Sequence, residues 1–220
     1  MLGTKMERFF FEGIDKCEGL AHLNRVMSAS CLSESVREYA LRLRESGAAA
    51  LGGLYDLTAT RLVRFATTIT RNQQDAEDAV SAALLKVVES PSILIHATAP
   101  WSYLLRMVHN ESLVILRKRK RWSIVQGIMD LWTVVPVDEI DREESLQAVW
   151  RELRTLPTEQ SEVVVLKVWE EMTFQQIAEI LEIPAPTAAS RYRYAITKLA
   201  SKLSAEFSEI SKFSGVRHVD

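Results

Sequence analysis

The sequence predicts an all-α protein of two small helical domains joined by a linker. Three observations carry this. Apolar residues recur at i, i+3, i+4 and i+7 in window after window, and no strand alternation of any length interrupts them. The periodicity lapses over 122–142, where Pro136 and the acidic Asp138, Glu139 and Asp141 mark a linker. Between Leu156 and Leu203, three short helical patterns follow one another with tight punctuation. The last carries Arg191, Arg193, Lys198 and Lys202, and the acids Glu159, Glu162, Glu170, Glu171, Glu179 and Glu182 precede it. Positive charge gathered on the last helix of an acidic unit suits a helix-turn-helix, whose second helix approaches phosphates and base edges.

The elements follow in order. Residues 1–46 form an N-terminal extension, poorly periodic to about residue 31. From Ser33 a helix is expected, with Leu32, Val36, Ala40 and Leu43 on one face and Gly47 as its stop. Gly52 and Gly53 weaken the helical signal just beyond. The first domain spans 47–121. Its helix over 54–70 presents Leu54, Leu57, Leu62, Phe65, Ala66 and Ile69. Asn72 is suited to cap the next helix, over 74–89. The first turn of that helix carries Asp75, Glu77 and Asp78, where carboxylates meet the positive end of the helix dipole. Ser90-Pro91 ends it. Pro100 opens the next helix at a position where its missing N–H costs nothing. That helix runs from Trp101 to Arg121 with an apolar stripe of Trp101, Leu104, Leu105, Val108, Leu113 and Leu116.

The linker 122–142 holds Trp122, Ile124, Val125, Ile128, Met129, Leu131 and Trp132, apolar enough for part of it to dock on protein. The second domain covers 143–204. Its first helix places Leu146, Val149, Trp150 and Leu153 on one face, and Pro157 starts the next unit. Helices are then expected over 159–170, 173–181 and 185–204. The last buries Ala188, Tyr192, Ala195, Ile196, Leu199 and Leu203 and turns Ser190, Arg191, Arg193, Tyr194, Thr197 and Lys198 elsewhere. Residues 205–220 are left as a tail.

A chain of 220 residues with 47% hydrophobic content can bury one sizeable core or two small ones. The net charge of −2 does not announce a nucleic-acid partner, but the local distribution does. Between Arg106 and Arg121 there are six Lys and Arg (Arg106, Arg117, Lys118, Arg119, Lys120 and Arg121) against one acid, Glu111. Cys17 and Cys31 are compatible with reduced thiols or one bridge. A Cys17/His22/Cys31 metal site lacks a fourth ligand and familiar spacing, so no metal and no cofactor are expected. No apolar run is long enough to span a membrane. Phe9-Phe10-Phe11 is flanked by Glu7, Arg8 and Glu12, which is wrong for a signal peptide. A soluble cytoplasmic protein is expected. No carboxylate pair, nucleophile motif, Gly-rich phosphate loop or metal cluster points to an enzyme, and no catalytic residue is assigned.

Two motif sets, in the same order and at domain scale, resemble bacterial RNA polymerase sigma factors of the extracytoplasmic-function (ECF) type, a group IV family. The downstream set is the Leu156-Pro157 start, an apolar helix, then Thr173, Phe174, Gln176, Ile177, Ala178 and Leu181, then Thr187, Ser190 and Arg191; it is similar to region 4. The upstream set is Asp75-Ala76-Glu77-Asp78-Ala79-Val80, similar to region 2.2, with Leu54-Tyr55 and Arg61-Leu62 before it matching region 2.1. Pro100, Trp101, Leu105 and Asn110 follow, similar to region 2.3.

The resemblance implies a transcription initiation factor that binds core RNA polymerase and directs it to promoter DNA. It assigns core binding to Asp75, Glu77, Asp78, Ser81 and Leu85. It assigns opening of the −10 element and capture of the unpaired strand to Trp101, Arg106, His109, Asn110, Arg117, Lys118, Arg119, Lys120 and Arg121. Thr187, Ser190, Arg191, Arg193, Tyr194 and Lys198 are assigned to −35 duplex recognition. An anti-sigma factor is the further partner class it admits. Physically, strand separation needs a cationic surface and ring faces for unstacked bases. Trp101, which also lies on the apolar stripe, is open to both a core and a base-stacking role. The 21 residues of 122–142 could reach about 70 Å if extended, roughly two duplex turns.

The chain departs from the family pattern at Ser81, Ala82, Ala83 and Leu84, where Gln, an acid, a small residue and Phe are usual. It also departs at Ala189 and Tyr194, where Lys and Arg are usual. The alternative these departures favour is a sigma-like adaptor that binds an anti-sigma factor or other regulator without recognising promoters. An ordinary helix-turn-helix repressor would leave the upstream motifs unexplained.

Overall fold

The computed structural model describes residues 29–126 and 144–214, with side chains over 29–121 and 149–202. Every regular element among them is helical. We number them α1 (Ala29–Ser46), α2 (Leu51–Thr70), α3 (Gln73–Glu89), α4 (Ser92–Ile95), α5 (Pro100–Gln126), α6 (Glu144–Thr155), α7 (Thr158–Val168), α8 (Phe174–Leu181) and α9 (Ala185–Ser214).

The first group, α1 to α5, is built on α2. Its buried side chains (Leu54, Leu62, Phe65, Ala66 and Ile69) are those expected from the periodicity, apart from Leu57, which is only partly buried. Four threonines of α2, Thr58, Thr67, Thr68 and Thr70, return their hydroxyl protons to the carbonyls four residues back, which satisfies them inside the bundle. Helix α2 closes at Arg71 in the left-handed region (φ 57°), and Asn72 then turns the chain. Asn72 Oδ1 accepts from the Asp75 amide at 3.0 Å, the cap its sequence position predicted. Helix α3 packs on both α2 and α5 through Ala76, Val80, Ala83, Leu84 and Val87. Helix α1 lays Leu32, Val36, Ala40 and Leu43 onto the bundle, as its spacing required.

Several boundaries differ from the sequence reading. Gly52 and Gly53 lie inside α2. At Gly53 the reason is steric: a Cβ there would collide with the Tyr39 ring of α1, so the helix is kept bare where the two cross. Between Ser90-Pro91 and Pro100, where no helix was assigned, lies the single turn α4. Helix α5 continues to Gln126, five residues into the expected linker. Helix α9 continues to Ser214, ten residues past the expected end. Cys17, His22, Ile128, Met129, Leu131, Trp132 and the acids at 138–141 lie outside the described residues, as do the side chains of Trp122, Ile124, Val125, Leu146 and Leu203. Cys31 is exposed.

The second group, α6 to α9, holds the helix-turn-helix. Thr173 and Gln176 form a reciprocal capping box at the start of α8. Glu182 in the left-handed region (φ 55°) ends α8, and Pro184 leads into α9. The Phe174 and Tyr192 rings meet edge to face at 5.6 Å and tie the two helices together.

The two groups are packed against each other. Helix α7 lies on α2, and α8 lies on α5. Their buried side chains form one continuous core. Among the described residues no helix is long and apolar enough to cross a membrane, and no group of three metal-ligating side chains assembles.

Candidate polymerase and nucleic-acid interfaces

The outer face of α3 is the first surface. Burial of Ala76, Ala79, Val80, Ala83, Leu84 and Val87 fixes the roll of the helix. The opposite side then presents Asp78, Ser81 and Leu85, spaced by three and four residues along one exposed face. Leu85 is 58% exposed, a large apolar side chain held in solvent by a helix whose other face is fully used. Glu77 is exposed and accepts from Gln73 Nε2 at 2.8 Å. Asp75 sits at the end of this face, and its Oδ2 accepts from Arg119 Nη1 of α5 at 2.7 Å. A residue assigned to polymerase and one assigned to single-stranded DNA are thus paired with each other.

The second surface is α5. Arg117, Lys118, Arg119, Lys120 and Arg121 are all exposed at its far end, and Asn110 is exposed nearer the middle. The guanidinium of half-buried Arg106 rests over the Tyr103 ring, 4.6 Å from its centroid. Two residues assigned to this surface are not on it. Trp101 is fully buried and donates its indole N–H to Glu170 Oε2 at 3.1 Å. His109 is 7% exposed, stacks against Phe65 at 6.4 Å, and places Nε2 3.3 Å from Glu162 Oε2. Both acids come from the second group, so it is the packing of α7 and the α7–α8 turn that covers them.

That packing is polar at its centre. The Glu170 carboxylate, with no exposed side-chain surface, accepts from Arg61 Nε at 3.0 Å and Arg64 Nη2 at 3.3 Å as well as from Trp101. Arg61 also reaches the Trp169 carbonyl at 3.3 Å and lies over the Trp101 ring. A carboxylate this deep is held only because two cations and an indole N–H replace its water. At one side, Arg71 Nη2 donates to the Leu156 carbonyl and to Ser161 Oγ, each at 3.1 Å. Burial, and the nearby Arg154 charge, pull the Arg71 guanidinium below its ordinary pKa; Glu162 and Glu159 offset part of that.

Sequence reasoning missed this cluster. Arg61 was noted only as a motif match, and Arg64, Arg71 and Glu170 were given no role. The available signal was Arg64 set among the apolar positions of α2, and Glu170 directly after the apolar run of α7. Neither names its partner, 106 residues away in the chain.

The third surface is the outer side of α9. Ala188, Tyr192, Ala195, Ile196 and Leu199 are buried as the periodicity required. Arg193, Tyr194 and Lys198 are exposed, Tyr194 at 70%, while Thr187, Ser190 and Arg191 are half-buried at the start of the helix. Arg193 Nη2 leans back to Ser190 Oγ at 3.4 Å. Lys202 is spent differently. Its Nζ binds Glu152 at 3.0 Å and Thr155 Oγ1 at 2.7 Å, fastening α9 to α6.

Comparison with known proteins places this geometry. The family model for sigma-70 region 2 matches residues 54–122, and that for sigma-70 region 4 matches residues 146–199. The chain is 31% identical over 144 residues to the ECF RNA polymerase sigma factor SigM of Mycobacterium tuberculosis, in two strains, covering 65% of this chain and 71% of the relative. Its fold is similar to the sigma factor RpoE from Bartonella quintana, solved in complex with the anti-sigma factor NepR. That likeness has a TM-score of 0.58 and 21% identity, over 70% of this chain and 97% of the other. It is also similar to CnrH, solved with the cytosolic domain of CnrY. There the TM-score is 0.51 and the identity 17%, over 77% of this chain and 97% of the other.

Proposed function

The chain belongs to the ECF type of sigma-70 factors, and from that membership we propose how its surfaces divide the work of promoter recognition. It binds core RNA polymerase and directs it to promoter DNA. The polymerase performs the chemistry, and this chain supplies contacts and position. It acts in the cytoplasm, where polymerase and promoter meet.

Core polymerase is taken by the exposed face of α3, through Asp75, Glu77, Asp78, Ser81 and Leu85. An apolar Leu85 among carboxylates gives that face a desolvating centre inside a charged rim. The −35 duplex is taken by α9. Its capped and ring-locked partner α8 sets the angle at which Thr187, Ser190, Arg191, Arg193, Tyr194 and Lys198 meet the groove. The −10 strand is taken by Arg106, Asn110 and the run 117–121, an electrostatic track for an unpaired backbone. Trp101 and His109 join it only once the second group leaves α5.

The observation that carries this reading is the pair of matched regions in order, with the acidic face of the first and the basic face of the second both solvent-facing. An anti-sigma factor is proposed as a regulatory partner, on the analogy of the RpoE complex. The test is transcription in vitro from genomic DNA fragments by core polymerase with and without this protein. Discrete new start sites are expected. Core binding without any start site would favour the adaptor that holds polymerase or a regulator but reads no promoter.

A further inference from the structure

Helix α1 lies outside the segment matched by the region 2 model, which begins at residue 54. It nevertheless reaches the segment that leads into the −10 helix. Arg37 Nη1 donates to the Ile95 carbonyl at 2.6 Å, and Nη2 donates to the Ala97 carbonyl at 2.9 Å and the Thr98 carbonyl at 3.4 Å. One turn earlier, Ser33 Oγ accepts from the Trp101 amide at 3.4 Å. A single side chain thus binds three carbonyls across four residues of the α4–α5 turn. The planar, five-donor guanidinium is the group suited to that, since its donors diverge at fixed angles. The helix is anchored beneath it by Leu32, Val36 and Ala40, which are fully buried.

The held turn runs from Ile95 to Ala99, between α4 and α5. It follows the one-turn helix α4, and its His96 and Thr98 side chains are exposed. The residues after it, from Pro100, form the helix that carries Arg106 and Asn110. The turn leads directly into the helix proposed to take the −10 strand, so His96 and Thr98 stand next to that proposed path, and any ordering of the turn on binding would be subtracted from affinity.

We propose that Arg37 is a positioning residue for −10 recognition: from α1 it fixes the 95–99 backbone so that His96 and Thr98 meet the unpaired strand in one geometry. This rests on the promoter-opening role proposed for α5. Helix α1 is then part of the promoter-reading apparatus, and sequence choice at −10 responds to a residue that touches no DNA.

The test uses the full chain with core polymerase on a template library randomised at −10 behind a fixed −35 element. Arg37→Ala is expected to keep core binding and the −35 footprint. It should flatten base preference at −10 and slow strand opening by on the order of tenfold, the scale of lost charge-assisted hydrogen bonds. Much of the loss should return on a pre-opened bubble. Arg37→Lys keeps the stem and the charge but has one compact ammonium, and it should fall between the two. It decides the matter if the alanine variant folds poorly, which thermal melting reports. Unchanged −10 preference and opening rate in a folded Arg37→Ala or Arg37→Lys variant would overturn the proposal alone. A wild-type holoenzyme with no −10 preference at all would overturn the reading beneath it as well.

Discussion

Thr173 and Arg191 do different work within the same helix pair. The Thr173 hydroxyl accepts from the Gln176 amide at 3.2 Å, and Gln176 Oε1 accepts from the Thr173 amide at 2.8 Å. These bonds satisfy two of the donors an α-helix start leaves orphaned. Thr173→Ala should lower stability by about 1 kcal/mol, read as a lower melting temperature, with DNA affinity recovered on cooling. Arg191 is half-buried near the start of α9 and, among the described residues, makes no ion pair of the kind that fixes Lys202. Arg191→Ala should leave melting unchanged and weaken −35 binding; if it reads a guanine, discrimination there should fall by about 1–3 kcal/mol. A −35 footprint that survives Arg191→Ala would remove Arg191 from the readers.

At the scale of elements, α5 combines two surfaces in one helix. Its first turns are buried by the second group, and its last turns are a solvent-facing cation track. Neutralising Lys118, Arg119 and Lys120 together should impair strand opening more than closed-complex binding, and a pre-melted template should restore most of the transcription. Equal defects on duplex and bubble templates would reassign the run to general DNA affinity. Arg119 is unlike its neighbours, since it already pairs with Asp75. Its single replacement should affect polymerase binding as well, though modestly, because an exposed pair of this kind is worth about 0–1 kcal/mol.

Helix positions and their buried faces were legible in the chain because periodicity, the Asn72 cap, Pro100 and the Thr173–Gln176 box are local signals. Tyr192 as core and Tyr194 as surface followed from the same stripe. What could not be read was long-range. Arg64 and Glu170 each look like misplaced charges until the fold sets them 3.3 Å apart. Trp101 was open to two roles because an apolar stripe does not say which element will cover it. The continued run of α5 to Gln126 was hidden because the apolar stripe stops at Leu116, and Arg119, Lys120 and Ser123 stand where it would go on.

The whole molecule is closed, with α7 and α8 seated on α2 and α5. Under the division of promoter work proposed above, each group takes its own DNA element, and the two separate to do so. Seventeen residues, 127–143, lie between α5 and α6 in sequence, and covalent geometry limits their reach to about 60 Å. Separation strips Glu170 of its two arginines and its indole donor and returns all of them to water. Glu170→Gln should favour the open form, because the amide cannot accept from both guanidiniums and presents its own N–H to one of them. Removing one member of a buried pair costs about 3–5 kcal/mol, toward the lower end here because Arg61 is partly exposed. The radius of gyration in small-angle scattering should rise and the melting temperature fall. Identical scattering from wild type and variant would show that the apolar contacts alone hold the groups together.

The burial of Trp101 also has an optical consequence. Its indole is fully enclosed, hydrogen-bonded to a carboxylate, and faced by a guanidinium. The Trp150 and Trp169 rings, tilted by 34° with centroids 4.9 Å apart, both belong to the second group. Opening therefore leaves the Trp150–Trp169 ring contact inside one group and hydrates the Trp101 indole. Its emission should shift to the red and become accessible to iodide quenching as the groups part, so that unlabelled protein mixed with core polymerase or promoter DNA reports the rate of its own opening in a stopped-flow fluorimeter.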